Sequence, residues 1–516
     1  MNTARRRFLQ AVASAAPLGL PNVPLLGELA AFGAEPPAPT MRFGPDLEPV
    51  VRLIEETPRD QCVAVFIDQL RRGLPYRRFL AAVFFAGVRR HRSHHDVYKI
   101  HAVHQVSLDA RPEERLLPLF WALHGYKKHQ EDFPRPLLTQ LQGPLPSPEK
   151  AGAELADAMV RFDPDRAERA LVTLARNQGA RQTMEQLWVY GLRNLGAGGH
   201  AAILVANCFR ALETIGWQEA EQALRFVVQD IYLLSAEKPD LYWPTNTARA
   251  DRHLEKLPPT WAAGKADTAA TRELFALLRE GKAEPACDLA VKMLLGGVGA
   301  QALWDAIHLA TAELMVRHKS GWGLTSRPLH ANTSTNALHY AFRTCTAPRT
   351  RLLAMLQGVA WAAGRTGGDL ADLRDVKLAD LPAVSVPDKA DDAVAEVFAL
   401  LPSRTCRWDA AAKKAVLGYG MREEADEASR KVFVLARERP EVVPLFMQAA
   451  HSWLCRKAND DAHEYKFLAA ILEDAACVSP AWQPHLLAAS VHYFHGNQTP
   501  DNPVTQQVQE ALQRRE

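Results

Sequence analysis

The chain has 516 residues, of which 47% are hydrophobic and 23% are charged, with 61 basic and 59 acidic side chains. A chain of this length exceeds one ordinary hydrophobic core and predicts two to four packed units. The near-balance of charge gives no support for a nucleic-acid-binding surface, so we expect no nucleic-acid partner.

The first element of the chain is a basic cluster followed by an apolar stretch. Arg5 and Arg6 stand shortly before Phe8, and a run rich in Ala, Leu and Pro continues to about Ala34. The order Arg-Arg-x-Phe-Leu resembles the twin-arginine export signal, which is read by a receptor. We therefore predict a signal segment at residues 1–34, the twin-arginine export machinery as a partner, and a periplasmic or extracellular location in a bacterium.

The remainder of the chain is predicted to be all-α. Sustained alternating runs rich in Val, Ile and Thr are nearly absent, whereas apolar residues recur at steps of three and four, as in residues 301–318. Alanine, which favours helix intrinsically, is abundant throughout. No segment of the mature chain is apolar enough over roughly 20 residues to span a bilayer, so we expect no transmembrane segment.

Two irregular stretches rich in Pro and Gly divide the predicted helices. The predicted parts are an N-terminal helical half at 35–245, a linker at 246–268, a third helical unit at 269–375, a second linker at 376–392 and a C-terminal helical unit at 393–516. Helix pairs with a shared plan begin near Cys62, Ala167, Pro285 and Ala410, and the first helix of each pair ends in Gly. This pattern predicts an array of helical hairpins in about four pseudo-repeated units forming two halves, with residues 413–420 as a helix end in the fourth.

A constant offset between the first and third units aligns three polar positions. The aligned pairs are His95 with His330, His101 with Asn336, and His104 with His339. The second unit keeps His200 only approximately, and the nearest counterpart in the fourth unit is His463. If the alignment is a coincidence among Ala-rich and Leu-rich helices, these matches carry no meaning.

Histidines are dense in two windows of the sequence, and neutral imidazole is the commonest metal ligand in proteins. The candidate metal ligands are His95, His101, His104, His308, His330 and His339. Helical geometry favours His94 in place of His95, because steps of seven and three residues keep His94 on one face with His101 and His104. The alignment favours His95, and both alternatives remain open here. His308 falls on an apolar face, so we expect it to be buried and to need a hydrogen-bond partner.

Other signals are weaker. A single histidine on an apolar face is more often a hydrogen-bonded core residue than a ligand. The sequence holds no HExxH, no cysteine pair, no GxSxG and no nucleotide-binding loop. The carboxylates Asp305 and Glu313 flank His308 in sequence but fall away from its face, so we expect both to be exposed to solvent.

Several short patches resemble the questin oxidase-like family of helical oxygenases. The patches are Phe84-Phe85, the histidine-rich stretch 91–104, the turn 110–114 with its Pro-Glu-Glu, the string His308-Leu309-Ala310-Thr311 and the string Leu338-His339. The resemblance implies a non-haem iron site with several histidines, and Baeyer–Villiger-type or ring-cleaving oxidation of aromatic polyketides. It also implies a carboxylated lysine ligand in at least one member, to which no lysine is assigned here, although Lys319 is nearby in sequence.

Together these observations predict a histidine-lined metal pocket between the first and third helical units. Iron is the preferred metal, because a histidine-rich site with open positions suits it, and zinc or copper is the alternative. The corresponding function is a metal-dependent oxidase or oxygenase acting on a small-molecule substrate. The alternative is a non-enzymatic helical-repeat scaffold, exported in folded form, that binds another protein across a concave face.

Overall fold

A computed structural model describes most of the chain. The described residues are 39–90, 94–133, 135–234, 241–318, 326–367, 373–377, 380–382, 384–403, 405–409, 414–418, 422–459 and 462–513. All of the elements below lie in one compact unit, Met41–Glu516. The predicted signal segment at 1–34 and Lys319 lie outside the described residues.

The described chain is mostly α-helix, which confirms the predicted all-α class. The helices up to the middle of the chain are α1 (Glu48–Glu56), α2 (Cys62–Arg71), α3 (Tyr76–Arg89), α4 (His94–Asp109), α5 (Leu117–Asp132), α6 (Pro148–Arg161), α7 (Pro164–Gln178), α8 (Ala180–Gln186), α9 (Trp188–Arg193), α10 (Gly196–Ile215), α11 (Ala220–Leu234) and α12 (Trp243–His253). Short 3₁₀ turns follow at Leu254–Lys256, Pro440–Val442 and Val491–Tyr493.

The second half of the chain continues the same pattern, with one short hairpin. Its elements are α13 (Thr268–Arg279), α14 (Ala283–Leu295), α15 (Ala300–Arg317), α16 (Ser326–Thr344), α17 (Pro348–Thr366), α18 (Ala390–Leu400), β1 (Thr405–Asp409), β2 (Lys414–Gly418), α19 (Arg422–Glu438), α20 (Val443–Lys457), α21 (Ala462–Cys477), α22 (Gln483–Ser490) and α23 (Pro503–Gln513).

Three of the four predicted helix ends at glycine are present in the structure. The α7 helix stops at Gly179, where φ is +96°, and α14 is followed by Gly297, where φ is +87°. Glycine adopts such angles without the Cβ clash of other residues and so ends a helix cheaply. The fourth predicted end, at residues 413–420, is wrong: Lys414–Gly418 is a strand paired antiparallel with β1, with Lys414 opposite Asp409. Gly418 weakens a helix there, and the β-branched side chain of Val416 favours a strand.

The first predicted linker, 246–268, is partly helical, because α12 extends to His253. One continuous hydrophobic core runs from Met41 near the start of the described chain to Val508 in α23. Among the described helices, none is both long enough and apolar enough to cross a membrane.

Four helices form a ring that positions the candidate site. Helix α4 packs against α10, α10 against α16, α16 against α21, and α21 against α4. Side-chain contacts show that α10 and α21 run in the same direction, since His200 lies near His463 and, ten residues along each helix, Arg210 bonds Glu473. Their N-terminal ends therefore lie at one end of the ring.

Candidate metal centre

Each helix of the ring contributes one histidine close to its N-terminus. His95 is the second residue of α4, His200 the fifth of α10, His330 the fifth of α16 and His463 the second of α21. We call these four residues the histidine cluster. Because all four lie in the first turns of their helices, they meet at the end of the ring where four helix N-termini converge.

The nitrogens of the histidine cluster are close enough to share an ion. One ring nitrogen from each of His95, His200 and His463 lies within 4.8 Å of the other two. The Nε2 atoms of His330 and His463 are 3.2 Å apart, and the ring centroids of His200 and His330 are 4.8 Å apart. The four residues are partly exposed, whereas the Nε2 atoms of His95 and His200 are buried.

Two glycines allow the start of α10 to approach α16 closely. Gly198 and Gly199 have φ of +71° and +74°. A Cβ added at Gly198 would lie 3.0 Å from the ring of His330, and one added at Gly199 would lie 2.8 Å from Cβ of Ser334. The hydroxyl of Ser334 donates to the carbonyl of Gly198 at 2.8 Å. The missing side chains therefore bring His200 beside His330.

A tyrosine and a lysine line one side of the histidine cluster. The ring of Tyr98 stacks on His200, with an interplanar angle of 10° and centroids 5.9 Å apart. The ammonium of Lys466 lies 4.4 Å from the centroid of Tyr98 and donates to its hydroxyl at 3.4 Å. Both Tyr98 and Lys466 are buried, so the lysine holds its charge next to the cluster with little solvent screening.

His94 has a different partner from His95. Its Nδ1 atom lies 3.4 Å from Oδ2 of Asp230 on α11, a carboxylate with no exposed surface. The ring of His94 is also 4.7 Å from the ring of His95. His94 thus connects the cluster to a buried negative charge, and His95 is the residue of this pair whose nitrogen lies close to those of His200 and His463.

The environment keeps the imidazoles of His95 and His200 neutral. Burial lowers the pKa of His95 well below its usual value, and the charge of Lys466 and the neighbouring histidines lower it further. Burial followed by the charge of Lys466 lowers the pKa of His200 in the same way. The positive ends of four helix dipoles act in the same direction. Neutral imidazoles keep a lone pair free for a metal at neutral pH.

The six histidines predicted as ligands fall into separate groups. His95 and His330 belong to the histidine cluster. His308 and His339 contact each other further along the ring, with Nε2 of His308 2.8 Å from Nδ1 of His339. His104 lies 3.2 Å, through Nδ1, from the hydroxyl of Tyr76 at the start of α3.

His101 has an environment of its own. Burial lowers its pKa well below the usual value, and the charges of the neighbouring Arg210 and Glu473 also act on that pKa. The spacing along α4 predicts that His101 and His104 share a face with His94. In the structure, the neighbouring helices surround each of these residues with a different environment.

Two other expectations about side chains have clear outcomes. His308 is buried and has a partner, as predicted. Asp305 and Glu313 were expected to be exposed, and this is wrong, because both are buried. Asp305 accepts from the backbone N–H and hydroxyl of Ser479, and Glu313 pairs with Arg279 at 2.6 Å. Helices pack on both sides of α15 and cover the face that the spacing within this one helix predicted to be exposed.

Sequence reasoning did not place His200, His463 or Lys466 among the candidate ligands. The signal that existed was the repeat alignment, in which His200 and His463 were approximate counterparts of His95 and His330. Those four residues are the histidine cluster. Nothing in the local sequence distinguishes Lys466 from other lysines, because its proximity to the cluster depends on how α21 packs against α4.

Comparison with protein-family models, with curated proteins and with solved structures finds no match for this chain. The function is therefore argued from the chemistry of the site.

Proposed function

We propose that the histidine cluster binds a transition-metal ion, iron in preference to zinc or copper, and that the protein is a metal-dependent oxidase or oxygenase. The observation that carries the proposal is that one ring nitrogen from each of His95, His200 and His463, on three separate helices, lies within 4.8 Å of the other two. His330 is the fourth donor, because its Nε2 atom lies 3.2 Å from that of His463.

The donor set fits such an ion. Nε2 of His95 is buried without a hydrogen-bond partner among the described residues. An unsatisfied buried polar atom costs about 1–3 kcal/mol, and coordination of the His95 nitrogen by a metal removes that cost. Neutral imidazole suits Fe, Cu, Zn and Ni, whereas Mg and Ca prefer oxygen ligands.

The charges near the cluster act in opposite directions. Lys466 and the helix N-termini disfavour a cation, while the buried carboxylate of Asp230 reaches the cluster through His94 and favours one. The ring of His94 lies 4.7 Å from the ring of His95 and 5.9 Å from the ring of His200. We assign to Asp230 and His94 the role of holding His95 and His200 in position.

Lys466 is the lysine that fits the carboxylated ligand implied by the family resemblance. Its ammonium must first lose a proton; the free amine Nζ then attacks carbon dioxide to form a carbamate with loss of a second proton, which converts the positive charge beside the cluster into a negative one. That change would remove the main electrostatic obstacle to a cation at this place. The mass of the intact protein, compared with that of Lys466→Arg, tests this assignment.

A bound iron would supply oxygen-dependent redox chemistry at this site. The residues of this chain would bind and orient: four imidazoles hold the ion, and the ring of Tyr98 forms an apolar and aromatic side next to it. The resemblance implies an aromatic polyketide as the substrate class.

Elemental analysis of the purified protein tests the proposal. We expect close to one metal ion per wild-type chain, and strong loss of metal in His463→Ala and His200→Ala. His104→Ala is the matched control, because His104 lies on α4 with His95 but bonds Tyr76, and it should keep its metal. Circular dichroism of each variant separates loss of the ion from loss of the fold.

The scaffold alternative gives the opposite result in the same experiment. A protein that only presents a helical surface would contain no stoichiometric metal, and the three histidine variants would differ only in stability. Metal-free wild-type protein purified from iron-supplemented cells, with an intact helical spectrum, would overturn the proposal.

We also propose that the protein is exported to the periplasm by the twin-arginine route. The support is the order of Arg5, Arg6 and Phe8 in the sequence. This route moves folded proteins, which suits a chain that acquires its ion before export.

A further inference from the structure

Four arginines lie at one end of a group of four helices, α13, α15, α16 and α17, that pack against one another. Arg279, Arg317 and Arg365 are in the last turns of α13, α15 and α17, and Arg327 is the second residue of α16. We call these four residues the arginine cluster. None of them belongs to the histidine cluster.

Contacts between these helices place the ends that carry the arginines at one level. Nε of Arg327 donates to the backbone carbonyl of Arg365 at 2.7 Å. Helices α15 and α16 run in opposite directions, and the amide of Asn332 donates to the carbonyl of Thr311 at 2.9 Å. Arg317 therefore lies beyond Thr311 about as far as Arg327 lies before Asn332. Three helices thus bring an arginine each to the same end of the group.

The carboxylates beside Arg317 are both paired with another arginine. Oε1 of Glu313 accepts from Nε of Arg279 at 2.6 Å, and Oδ1 of Asp375 lies 3.6 Å from Nη2 of Arg279. Asp375 is also 95% exposed, so solvent screens its charge. Nη1 of Arg317 lies 3.9 Å from Oε1 of Glu313, which is too long for a hydrogen bond. Neither carboxylate therefore accepts a hydrogen bond from that nitrogen of Arg317.

Arg317 and Arg365 have buried donors that the protein does not satisfy. Arg317 is 7% exposed, and in the described part of the chain its Nε and Nη1 atoms have no hydrogen-bond partner. The same is true of Nε of Arg365, whose guanidinium lies 4.2 Å from the ring centroid of Trp361. A buried donor without a partner is costly, and the cost is larger for a charged group. An acceptor from outside the chain would remove that cost.

Repulsion between the guanidinium groups adds to this cost. Burial lowers the pKa of Arg317, and the like charges of Arg279 and Arg327 lower it further, although the two carboxylates oppose this effect. Burial and the charge of Arg327 lower the pKa of Arg365 to about 10. Arginines remain charged at neutral pH even so, and an anion between them would balance their repulsion.

We propose that Arg317 and Arg365 bind a phosphate group, with Arg327 beside them. Guanidinium groups bind phosphate oxygens through charge-assisted hydrogen bonds, and this binding breaks no covalent bond. Three positive charges favour a doubly charged phosphate over a singly charged anion such as chloride. Nε and Nη2 of Arg327 donate to the carbonyls of Arg365 and Gly367, so this side chain is fixed in place and contributes its charge.

Thermal unfolding of the full chain in phosphate and in chloride, at equal pH and ionic strength, tests the site. A ligand that binds only the folded state raises the thermal midpoint. We expect inorganic phosphate to raise the midpoint of the wild type and to have no such effect on Arg317→Met or Arg365→Met. Loss of one charged contact should weaken phosphate binding by about tenfold or more in isothermal titration calorimetry.

Stability in chloride distinguishes a binding role of Arg317 from a purely structural one. Methionine keeps the apolar part of the side chain and removes a buried charge without a partner, so Arg317→Met should be at least as stable as the wild type. A purely structural arginine gives a variant that is less stable by the same amount in chloride and in phosphate. That result contradicts the proposal.

Arg349→Met is the matched control on the same helix as Arg365. Arg349 lies at the other end of α17, is 41% exposed and bonds both carboxylate oxygens of Asp251 at 2.6 and 3.1 Å. This variant should respond to phosphate as the wild type does. An equal response in Arg317→Met, or no response in the wild type, rules the site out.

A second titration, with phenyl phosphate, identifies the source of the phosphate group. Tighter binding than that of inorganic phosphate indicates the phosphate of an organic molecule, and equal or weaker binding indicates the free ion. Both results support the site if Arg317→Met abolishes them, and binding that persists in this variant contradicts it.

Neither titration depends on the proposed metal. His463→Ala, which should lose its metal, should keep the phosphate response of the wild type. Failure of the metal proposal and failure of the phosphate site are therefore distinguishable.

Discussion

The Nε2 atoms of His330 and His463 lie 3.2 Å apart where the N-terminal ends of α16 and α21 meet. Two metal–nitrogen bonds of about 2.0–2.1 Å at a tetrahedral angle place the nitrogens about 3.3 Å apart. The separation thus suits two ligands of one ion as well as a single hydrogen bond. The binding of metal distinguishes the two, because only a metal couples these histidines to His95 and His200.

Removal of metal should destabilise the wild type selectively. A ligand that binds only the folded state at about 100 times its Kd stabilises it by roughly 2.7 kcal/mol. We expect a chelator to lower the thermal midpoint of the wild type and of His104→Ala, and to leave His463→Ala unchanged. Differential scanning calorimetry with and without chelator measures this, and an equal response in all three proteins would contradict shared ligation.

Replacement of Gly199 by Ala should disrupt the histidine cluster from outside it. The new Cβ would overlap the hydroxyl of Ser334, and φ of +74° is unfavourable for alanine. Strain and overpacking together should cost about 2–4 kcal/mol and should displace His200, with loss of metal. Urea unfolding and elemental analysis measure the two effects.

Gly73 provides the matched control for this substitution. Its φ is +97°, but a Cβ added there would meet nothing within 4 Å. Gly73→Ala should therefore cost only the conformational penalty of about 1–2 kcal/mol and should retain the metal. If both variants lose the same stability and the same metal, the close approach of α10 to α16 does not position the cluster.

The Arg210–Glu473 pair should make stability depend on acid pH. The pKa of Glu473 is lowered from 4.5 to about 2 in the folded state, so its contribution is fully present above about 4.5 and is lost as the pH falls towards 2. We expect the advantage of wild type over Glu473→Gln to shrink by about 2 kcal/mol between pH 6 and pH 3. The measurement is the difference in unfolding free energy between the two proteins, and a constant difference across that range would refute it.

Export should depend on the first two arginines of the chain. A receptor that reads guanidinium groups does not accept two ammonium groups in their place, so Arg5→Lys combined with Arg6→Lys should retain the protein in the cytoplasm. Arg7→Lys alters the variable position of the motif and should be exported normally. Cell fractionation and immunoblotting measure the distribution, and periplasmic accumulation of the double variant would rule out the assignment.

The helical class could be predicted from the sequence because helix formation is largely local. Apolar spacing of three and four residues, abundant alanine and glycines such as Gly179 and Gly297 act within one or two turns. The same local rules failed at Lys414–Gly418, where pairing with β1 decides the structure. They also failed at Glu313, which looks exposed on its own helix but is covered by Arg279 and its neighbours.

The chemical type of the candidate site was also present in the sequence, as a high density of histidines at related positions. Which histidines meet was decided only by tertiary structure. His95, His200, His330 and His463 are separated by more than 100 residues at each step, and the ring of four helices brings their first turns together. On a single helix His101 and His104 are neighbours of His94. In the folded chain, however, His101 lies near Arg210 and Glu473, whereas His104 contacts Tyr76. Sequence periodicity specifies the face of a helix, whereas the residues opposite that face depend on long-range packing, which no local pattern encodes.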